Sequence, residues 1–547
     1  MRTRILGGGV LAATLWVSTV GAGTLPVDGD WIGGFEGDEG TVFVTAHFQT
    51  NETRVGGTID MPLAGERGIP LEQVAADDRR VTFEVPNRFG NLRFEGKRRT
   101  ETTIAGSVRQ ALASRKFELF KITRPSPTVI SEVVGNYELP DRVLLISQGP
   151  SGLLLLDERA GRLGTLFALS DDEYVAGPSF AAGYPIEARL RIERDRTGQV
   201  SSLMWQQGKD APQRAMRRTF YTSELVGFRN EGVWLSGTLL KPIGSGPHPA
   251  IVMIHGSGPA TRDGLRPYAD LFARNGIAVL IHDKRGTGSS SGNWTRATFD
   301  ELAGDALAGV RFLQKRADIN PRQIGVQGVS LGGWIAPLAA ARSSDVAFVI
   351  VESAPAVTPA RHERLRVEHQ LRADGFEHEA IAHALAYMDR KFDVARTGEG
   401  WDGLQDALAR GAREGWDSYV NPPSSLESLQ WNWTHVLSYD PQPVLARVTC
   451  PVLVLYGALD STVPVNENHK RMADALAHNG DITIKVFEKA NHAFFQAVTG
   501  GRQESGRLKS LVPGYLTTRV DWVRQRVSVR SAVSIADVSK PTTATYR

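Results

Sequence analysis

The stretch Gly328-Val329-Ser330-Leu331-Gly332 decides how the rest of the chain is interpreted. An apolar, strand-like run, 323–327, precedes it, and a helix-like run, 333–341, follows it. A strand, G-x-S-x-G and a helix in this order are typical of a turn that holds a nucleophilic serine in a strained backbone conformation, because the small flanking residues leave room for it. The alternative is a glycine-rich turn with an incidental serine, so the motif needs support from the rest of the chain.

The composition is that of an ordinary globular protein. The chain has 547 residues, of which 41% are hydrophobic and 22% charged, and this length suggests two to four domains. The formal net charge is +3, and basic side chains alternate with acidic ones, so we expect no nucleic-acid partner. Cys450 is the only cysteine, which excludes an intrachain disulfide and predicts a small buried side chain. Because the sequence lacks a Cys/His cluster with metal-ligand spacing, we expect no metal.

Residues 1–23 have the pattern of a secretory signal peptide. Arg2 and Arg4 precede an apolar run from Ile5 to Val20. The small residues Gly21-Ala22-Gly23 follow, and cleavage after the second or third of them would fit. This pattern predicts a periplasmic or secreted protein with no stable membrane span once the signal is removed. The alternative is an uncleaved membrane anchor, although the run is short and interrupted by glycine.

Residues 24–220 contain short alternating runs with frequent turns, which predict an all-β region built as antiparallel sandwiches or barrels. The segment 125–127, Pro-Ser-Pro, suggests a linker, and so we place one β-rich module at 24–124 and a second at 125–220. The two open alike, with Gly29-Asp30-Trp31 and Gly135-Asn136-Tyr137. We favour a docking role for these modules over a ligand-binding role, because neither contains a catalytic cluster.

Residues 221–527 alternate apolar runs with helical segments. Such a pattern predicts an α/β fold with a mostly parallel sheet that is covered on both faces. Ligands of these sheets bind outside the carboxyl ends of the strands, and Ser330 follows such an end. The last segment, 528–547, has weak periodicity and predicts a poorly ordered tail.

A glycine-rich loop, His255-Gly256-Ser257-Gly258-Pro259, follows the first parallel strand. Glycines let backbone amides approach a developing oxyanion, and we assign the donors of an oxyanion hole to the N–H groups of Ser257 and Leu331. Gly258 is the alternative to Ser257. His255 is interpreted as a histidine that orients this loop and not as a catalytic base.

Two further residues lie after strand ends downstream of the serine. Asp460 follows a strand at 452–456, where a carboxylate could orient an imidazole, although most loop aspartates only cap turns. His492 follows the last strand and would take the Ser330 proton. The chain order Ser, Asp, His predicts a catalytic triad of Ser330, Asp460 and His492.

These motifs resemble the α/β-hydrolase superfamily, in particular bacterial exported esterases and serine aminopeptidase-like members. The resemblance covers about residues 221–526 and depends on five motifs: 255–259, Asp283-Lys284-Arg285-Gly286-Thr287-Gly288-Ser289, 328–333, Gly457-Ala458-Leu459-Asp460 and Asn491-His492. It implies an eight-stranded, mostly parallel sheet, hydrolysis through an acyl-enzyme on Ser330, and no cofactor. By the same resemblance, Asp283 and Arg285 brace the loop after their strand.

Members of this superfamily often insert a helical cap before the strand that precedes the acid. Residues of about 360–437 occupy that position here, and their apolar residues fall near helical spacing. Four tryptophans lie in the second half of this segment: Trp401, Trp416, Trp431 and Trp433. They could line an acyl pocket or pack the cap, and the sequence does not separate these alternatives.

The leading functional hypothesis is a serine hydrolase that cleaves carboxylic esters of small-molecule acyl substrates. An aminopeptidase-like peptidase or a thioesterase would use the same triad, because acyl transfer is common to esters, thioesters and amides. A degenerate, non-catalytic binding protein is the third alternative, and the filled triad positions argue against it. The sequence leaves the oligomeric state open.

Overall fold

The computed structural model describes residues 27–528 except 38–39, 52–53, 88–89 and 150–151, together with residues 535–536. The predicted signal peptide and most of the predicted tail therefore lie outside the described residues. The chain divides into two compact units, one of Met1–Asp141, Gly152–Leu155 and Leu163–Met216, the other of Arg142–Ser151, Leu156–Arg162 and Arg217–Arg547. The module boundaries at residues 124 and 220 stay predictions.

The first sheet has nine antiparallel strands and follows the period-two pattern of its sequence. Its strands are β1 (Gly29–Gly37), β2 (Gly40–Asn51), β3 (Arg54–Met61), β4 (Glu66–Pro70), β5 (Glu72–Ala76), β6 (Arg80–Val85), β7 (Leu92–Thr100), β8 (Thr103–Gln110) and β9 (Ala113–Ile122). They lie in the order β4-β3-β2-β1-β9-β8-β7-β6-β5. Alternate side chains of β6 are buried, and phenylalanine rings with centroids 4.5–5.9 Å apart pack the interior.

A short helix and a second sheet follow, which is built of eight consecutive strands and one two-residue strand from near the end of the chain. The helix α1 (Pro127–Val133) begins where the sequence predicted only a linker, because Ser126 Oγ accepts the Val129 N–H and Pro127 lies where no N–H is needed. The strands are β10 (Gly135–Leu139), β11 (Arg142–Gly149), β12 (Gly152–Asp157), β13 (Arg162–Ala168), β14 (Glu173–Ala176), β15 (Ala188–Arg194), β16 (Val200–Gln207) and β17 (Gln213–Thr219). Because β10 also pairs with β17, this sheet closes on itself. The N-terminal region is thus built almost entirely of strands.

From residue 221 onward, strands and helices alternate around an eight-stranded sheet, and we call residues 221–524 the α/β half. Its strands are β18 (Tyr221–Asn230), β19 (Val233–Pro242), β20 (His248–Ile254), β21 (Ala278–His282), β22 (Ile319–Val329), β23 (Val349–Glu352), β24 (Val452–Gly457) and β25 (Ile482–Phe487). They lie in the order β18-β19-β21-β20-β22-β23-β24-β25. All neighbours from β21 to β25 pair in parallel, whereas β19 is antiparallel to both of its neighbours. The strands β20, β21, β23 and β24 are buried along their whole length, which explains their apolar sequences.

Helices cover this sheet and also form the segment that is inserted between β23 and β24. They are α2 (Arg266–Arg274), α3 (Phe299–Gln314), α4 (Gly332–Arg342), α5 (Pro359–Ala373), α6 (His378–Thr397), α7 (Trp401–Glu414), α8 (Leu426–Trp433), α9 (Gln442–Leu445), α10 (Val465–Leu476) and α11 (Tyr515–Arg524). Thr298 and Glu301 form a capping box at the start of α3. Among the described residues, none of the helices is long and apolar enough to cross a membrane. A two-residue strand, β26 (Ile535–Ala536), pairs antiparallel with β17.

Helices α5 to α8 occupy the segment between β23 and β24 in which the cap was predicted. They enclose a core of their own, and Trp416 is fully buried in it, beside the ring of Tyr387. The packing alternative is therefore correct for Trp416. Trp401 also packs against this core.

A buried carboxylate joins the central strands to the last helix. Glu352, at the end of β23, accepts hydrogen bonds from Gln327 Nε2 at 2.9 Å and from Tyr515 Oη at 2.8 Å. Arg519 Nη1 donates to the same carboxylate at 3.2 Å, and its side chain is fully buried. The β22–β23 pair and α11 are thereby linked through one ion pair and two hydrogen bonds.

Cys450 is only partly buried, in contrast to the prediction of a buried side chain. It lies before β24 and packs against the edge of the core. Because the central, buried positions of this sheet belong to the strands themselves, a residue in the approach to β24 remains at the periphery.

Candidate active site

Ser330 occupies the turn between β22 and α4, and its φ angle is +56°. Such an angle is uncommon for a residue with a side chain and marks local backbone strain. A Cβ atom on Gly328 would overlap the backbone carbonyl of Gly332, and one on Gly332 would lie 3.0 Å from His255 O. The glycines of the motif are therefore required by close backbone approach, as the sequence predicted.

Replacing Gly328 by Ala is expected to lower the free energy of unfolding by about 1–3 kcal/mol, because the added methyl group clashes with backbone that cannot rotate away. The change in melting temperature can be followed by circular dichroism. Gly480→Ala is the matched control, since its added methyl group meets no atom within 4 Å. Equal melting temperatures for the two variants would contradict the close approach at Gly328.

The glycine-rich loop after β20 lies against the serine. A Cβ atom placed on Gly256 would be 3.4 Å from Ser330 Cβ and 4.0 Å from its Oγ. Gly258 has φ of +79°, a conformation that favours glycine, and so the loop turns sharply beside the serine. The structure thus places the predicted oxyanion loop next to the predicted nucleophile.

Asp460 and His492 form a close pair. His492 Nδ1 lies 2.9 Å from one carboxylate oxygen of Asp460 and 3.1 Å from the other. Asp460 is buried and also accepts the N–H groups of Thr462 and Val463, at 2.9 and 2.7 Å. These bonds fix the carboxylate, and because a carboxylate accepts, Nδ1 of His492 must carry the proton.

The protonation balance of His492 follows from this pair. Burial of the ring alone would lower the pKa of His492, but the charge of Asp460 and its hydrogen bond outweigh that effect. The pKa of His492 is therefore raised above its ordinary value of 6.5.

Ser330 and His492 contact a common segment. The Ser330 N–H donates to Glu352 O at 2.9 Å, and the next residue, Ser353, donates from Oγ to His492 O at 2.9 Å. Among the described residues, no hydrogen bond joins Ser330 Oγ to the His492 ring. Catalytic hydrogen bonds are often long without substrate, so the assignment of the triad stays a prediction.

His255 does not have the properties of a general base. Its ring is buried, and its Nε2 donates to His282 O at 2.5 Å. Burial lowers the pKa of His255 to about 3, so the ring is neutral at physiological pH. This contact ties the glycine-rich loop to the end of β21, which fits the orienting role.

The residues after β21 brace two loops. This role was predicted for two of these residues but not for the third, Lys284. Asp283 accepts the N–H groups of Arg262 and Ser289, and Arg285 binds Asp305 and Glu301 on α3. Between them, Lys284 donates from Nζ to the carbonyls of Gly256 at 2.8 Å and Gly258 at 3.0 Å. The bracing role of Asp283 and Arg285 is confirmed. The sequence carries no signal for the role of Lys284, because its partners are backbone atoms 26 and 28 residues away along the chain.

A cavity of about 350 Å³ opens beside Ser330. Its walls are largely aromatic and aliphatic, with rings from Trp294, Phe299, Trp334 and Trp433. Trp433 thus lines the pocket and also packs against the cap core, whereas Trp416 only packs the cap. Trp431 lines a second, more open depression of about 840 Å³. His435 lines both this depression and the first cavity.

Glu363 is the one acidic residue that lines the inner cavity in the described part of the chain. Its carboxylate is engaged by Arg366, whose Nε and Nη2 donate to it at 2.7–3.2 Å. Burial would raise the pKa of Glu363, but Arg366 outweighs this, and the pKa is lowered. The cavity wall therefore presents a paired carboxylate and not a free one.

Comparison with known proteins finds similarity to a hydrolase family and to individual hydrolases. A family model described as serine aminopeptidase, S33, matches residues 245–497, a range that includes every predicted site residue. Esterase EstD of Thermotoga maritima is 25% identical over 348 residues, which are 61% of this chain and 74% of that protein. Thiohydrolase aneE of Aspergillus aculeatus is 35% identical over 130 residues, 23% of this chain and 40% of that protein. A solved esterase of Pyrococcus furiosus is 18% identical with a TM-score of 0.36, covering 56% of this chain and 91% of that chain.

Proposed function

This chain belongs to the α/β-hydrolase superfamily, and from that premise we propose that it is a serine hydrolase that cleaves carboxylic esters of small-molecule acyl substrates. The observation that carries the proposal is the strained Ser330 turn, which lies at a cavity beside the glycine-rich loop. The Asp460–His492 pair supports it. A turn of this kind exposes the hydroxyl for attack on an acyl carbon.

In the proposed mechanism, Ser330 Oγ attacks the ester carbonyl while His492 Nε2 takes the hydroxyl proton. Nε2 is free to accept it because Asp460 holds the ring proton on Nδ1. The N–H groups of Ser257 and Leu331 stabilise the negative charge that develops on the carbonyl oxygen. His492 then gives the proton to the departing alkoxide, which leaves as an alcohol, and Ser330 keeps the acyl group.

Deacylation repeats these steps with water as the nucleophile. His492 removes a proton from the water, whose oxygen attacks the acyl carbon, and the Ser330–acyl bond breaks as the proton returns to Oγ. The products are a carboxylic acid and the free enzyme. No cofactor is required by this sequence of steps.

The cavity favours an ester over a free aminoacyl group. Its aromatic and aliphatic walls suit an apolar acyl or aryl group, and its volume of about 350 Å³ lies toward the small end of ligand sites. A free amino terminus would need an acceptor carboxylate, but Glu363 is already bound by Arg366. This argues against the aminopeptidase alternative, while thioesters use the same triad and remain a second candidate class.

Labelling by a fluorophosphonate probe tests the proposal. Wild-type protein should label and Ser330→Ala should not, and p-nitrophenyl esters of increasing chain length should be cleaved faster than aminoacyl anilides. Acyl thioesters in the same panel separate the remaining alternative. An unlabelled wild type, or anilides cleaved faster than every ester, would refute the ester-hydrolase proposal.

The pH dependence of kcat/KM is expected to rise through a pKa above 6.5. The reason is that His492 acts only in its neutral form, and its pKa is raised by Asp460. Activity should therefore be low under acid conditions and increase toward alkaline pH, which initial rates on a p-nitrophenyl ester between pH 5 and 8 would measure. His478→Gln serves as the control, because His478 bonds Val448 O outside the cavity and should leave the rising limb in place. A limb centred below 6.5 would contradict the Asp460 effect.

We also propose that the protein is exported to the periplasm or secreted, on the basis of the n-region, apolar run and small residues at 1–23. N-terminal sequencing of the protein recovered from the periplasm or medium tests this. A mature N-terminus at residue 23 or 24 would support it, and an intact Met1 in the cytoplasm would contradict it.

A further inference from the structure

We propose that Lys284 is a positioning residue for the oxyanion hole, in which its ammonium group holds the carbonyls on both sides of Ser257 and so fixes the direction of the Ser257 N–H. The inference rests on the proposed function and adds to it a residue to which neither the sequence motifs nor the family match assigns a role.

The geometry is a two-point clamp. Nζ of Lys284 donates to Gly256 O at 2.8 Å and to Gly258 O at 3.0 Å. The positive φ of Gly258 allows both carbonyls to face one ammonium group. Lys284 is 6% exposed, lines the same cavity as Ser330, and lies with Nζ 5.5 Å from the Trp294 ring centroid. The clamp is therefore buried, next to the nucleophile.

The clamp acts through the planarity of the peptide bond. Gly256 C=O and Ser257 N–H belong to one peptide unit, in which the two groups point in opposite directions. Holding the oxygen of Gly256 therefore holds the N–H of Ser257. An ammonium donor at the oxygen also polarises the peptide unit, which makes its N–H a stronger donor toward an oxyanion. The effect is largest in the transition state, when the negative charge on the oxyanion has developed.

A purely structural role does not explain the charge at this position. Among the described residues, Lys284 has no ion-pair partner, whereas its neighbours Asp283 and Arg285 each have at least one. A buried cation without a counter-ion is unfavourable, and an apolar side chain of similar volume would fill the same space at lower cost. The two carbonyl contacts of Lys284 are what the charge provides.

The surroundings of Lys284 predict a pH signature. Burial lowers the pKa of Lys284 to about 8. Nearby His255 and His282 have pKa values lowered by burial to about 3 and 4, and are neutral. Asp283 is held by Arg262, and Arg285 by Asp305 and Glu301. Across the cavity, Glu363 is paired with Arg366. Burial lowers the pKa of His362 to about 4, and burial also lowers the pKa of His435. Of the described residues that line the cavity, Lys284 is thus the one whose charge changes near pH 8. Burial also lowers the pKa of Lys391 to about 8, but Lys391 does not line the cavity.

The test replaces Lys284 by Met, which keeps the volume and removes the charge and donors. The chain offers a matched control in Lys391, a buried lysine on α6 whose Nζ also binds two carbonyls, those of Val420 and Asn421, at 2.8 and 2.9 Å. Both variants are measured beside wild type and Ser330→Ala for melting temperature and for kcat and KM on a p-nitrophenyl ester from pH 6 to 10.

We expect Lys284→Met to lower kcat by about 10- to 100-fold with KM within threefold, somewhat less than the loss of an oxyanion donor itself. Wild-type activity is expected to decline above pH 8, where Lys284 loses its charge, and Lys284→Met should lack this decline. Lys391→Met should lower the melting temperature comparably while kcat stays within twofold and the alkaline decline persists. Lys284→Arg, which keeps donors and a permanent charge, should retain part of kcat and move the alkaline decline beyond pH 10.

Three outcomes decide the matter. A folded Lys284→Met with kcat within threefold of wild type, or with an unchanged alkaline limb, would overturn the inference while leaving the proposed function intact. If Lys284→Met does not fold, Lys284→Arg decides, since an unshifted alkaline limb in that variant would overturn the inference as well. A wild type without Ser330-dependent turnover would overturn the proposed function itself.

Discussion

Replacing Ser330 by Ala is expected to lower kcat on any ester substrate by at least about 10⁴-fold, as removal of the nucleophile does in serine hydrolases of other folds. The alanine cannot form the acyl-enzyme, and the remaining loop and histidine can only polarise the carbonyl toward direct attack by water. KM should change little, because the hydroxyl contributes little to ground-state binding. Single-turnover and steady-state rates with a p-nitrophenyl ester measure both quantities.

The fold of the Ser330→Ala variant must be preserved for this result to bear on chemistry. Alanine has a side chain no larger than serine, so the strained turn is expected to keep its backbone, and the circular dichroism spectrum should match that of wild type. Ser343→Ala, at the other end of α4, is the control serine and should retain full activity. Substantial residual hydrolysis by a folded Ser330→Ala protein would place the nucleophile elsewhere.

Replacing Asp460 by Asn is expected to lower kcat by about 10³- to 10⁴-fold. The asparagine side chain can turn its NH₂ toward His492 Nδ1, which then must accept, and the ring proton moves to Nε2, where it blocks removal of the Ser330 proton. The amide also lacks the charge that stabilises the imidazolium. Fluorophosphonate labelling should slow in parallel with ester turnover, because both require the same proton transfer.

The control for Asp460→Asn is Asp345→Asn, an exposed loop aspartate bonded to Ser343, which should leave kcat unchanged. The melting temperature of Asp460→Asn should fall only modestly, because the amide oxygen can still accept the N–H groups of Thr462 and Val463. An Asp460→Asn variant with kcat within tenfold of wild type would show that another group orients His492.

The parts of the fold that could be predicted are those that depend on local constraints. The elbow was visible in the sequence because a Cβ atom on Gly328 would meet the backbone of Gly332 within the same turn, although Gly332 itself lies against the distant backbone of His255. The continuous apolar strands of the α/β half are equally local. Patterns of this kind need no knowledge of which distant segment lies opposite.

The parts that could not be predicted depend on which distant groups meet. The tryptophans of the cap are the same residue type within one segment, yet Trp416 fills the cap core and Trp433 also lines the cavity, because their roles depend on how four helices pack. Lys284 binds backbone carbonyls, which every residue has, so the residue types in the sequence do not reveal this contact. The helix α1 was missed because a proline pair was interpreted as a linker, although Ser126-Pro127 is also a sound helix start.

The carboxylate of Glu352 has a consequence for the order of folding. Its partners Tyr515 and Arg519 lie 163 and 167 residues further along the chain, so their contacts close a very long loop. Until residue 519 has been synthesised, Glu352 beside the nucleophile strand has no counter-ion and is better solvated than buried. The native partners of Glu352 are therefore complete only after α11 has been synthesised. Because this buried ion pair is completed late in synthesis, the α/β half remains incompletely folded for longer. This favours processes that act on unfolded chains.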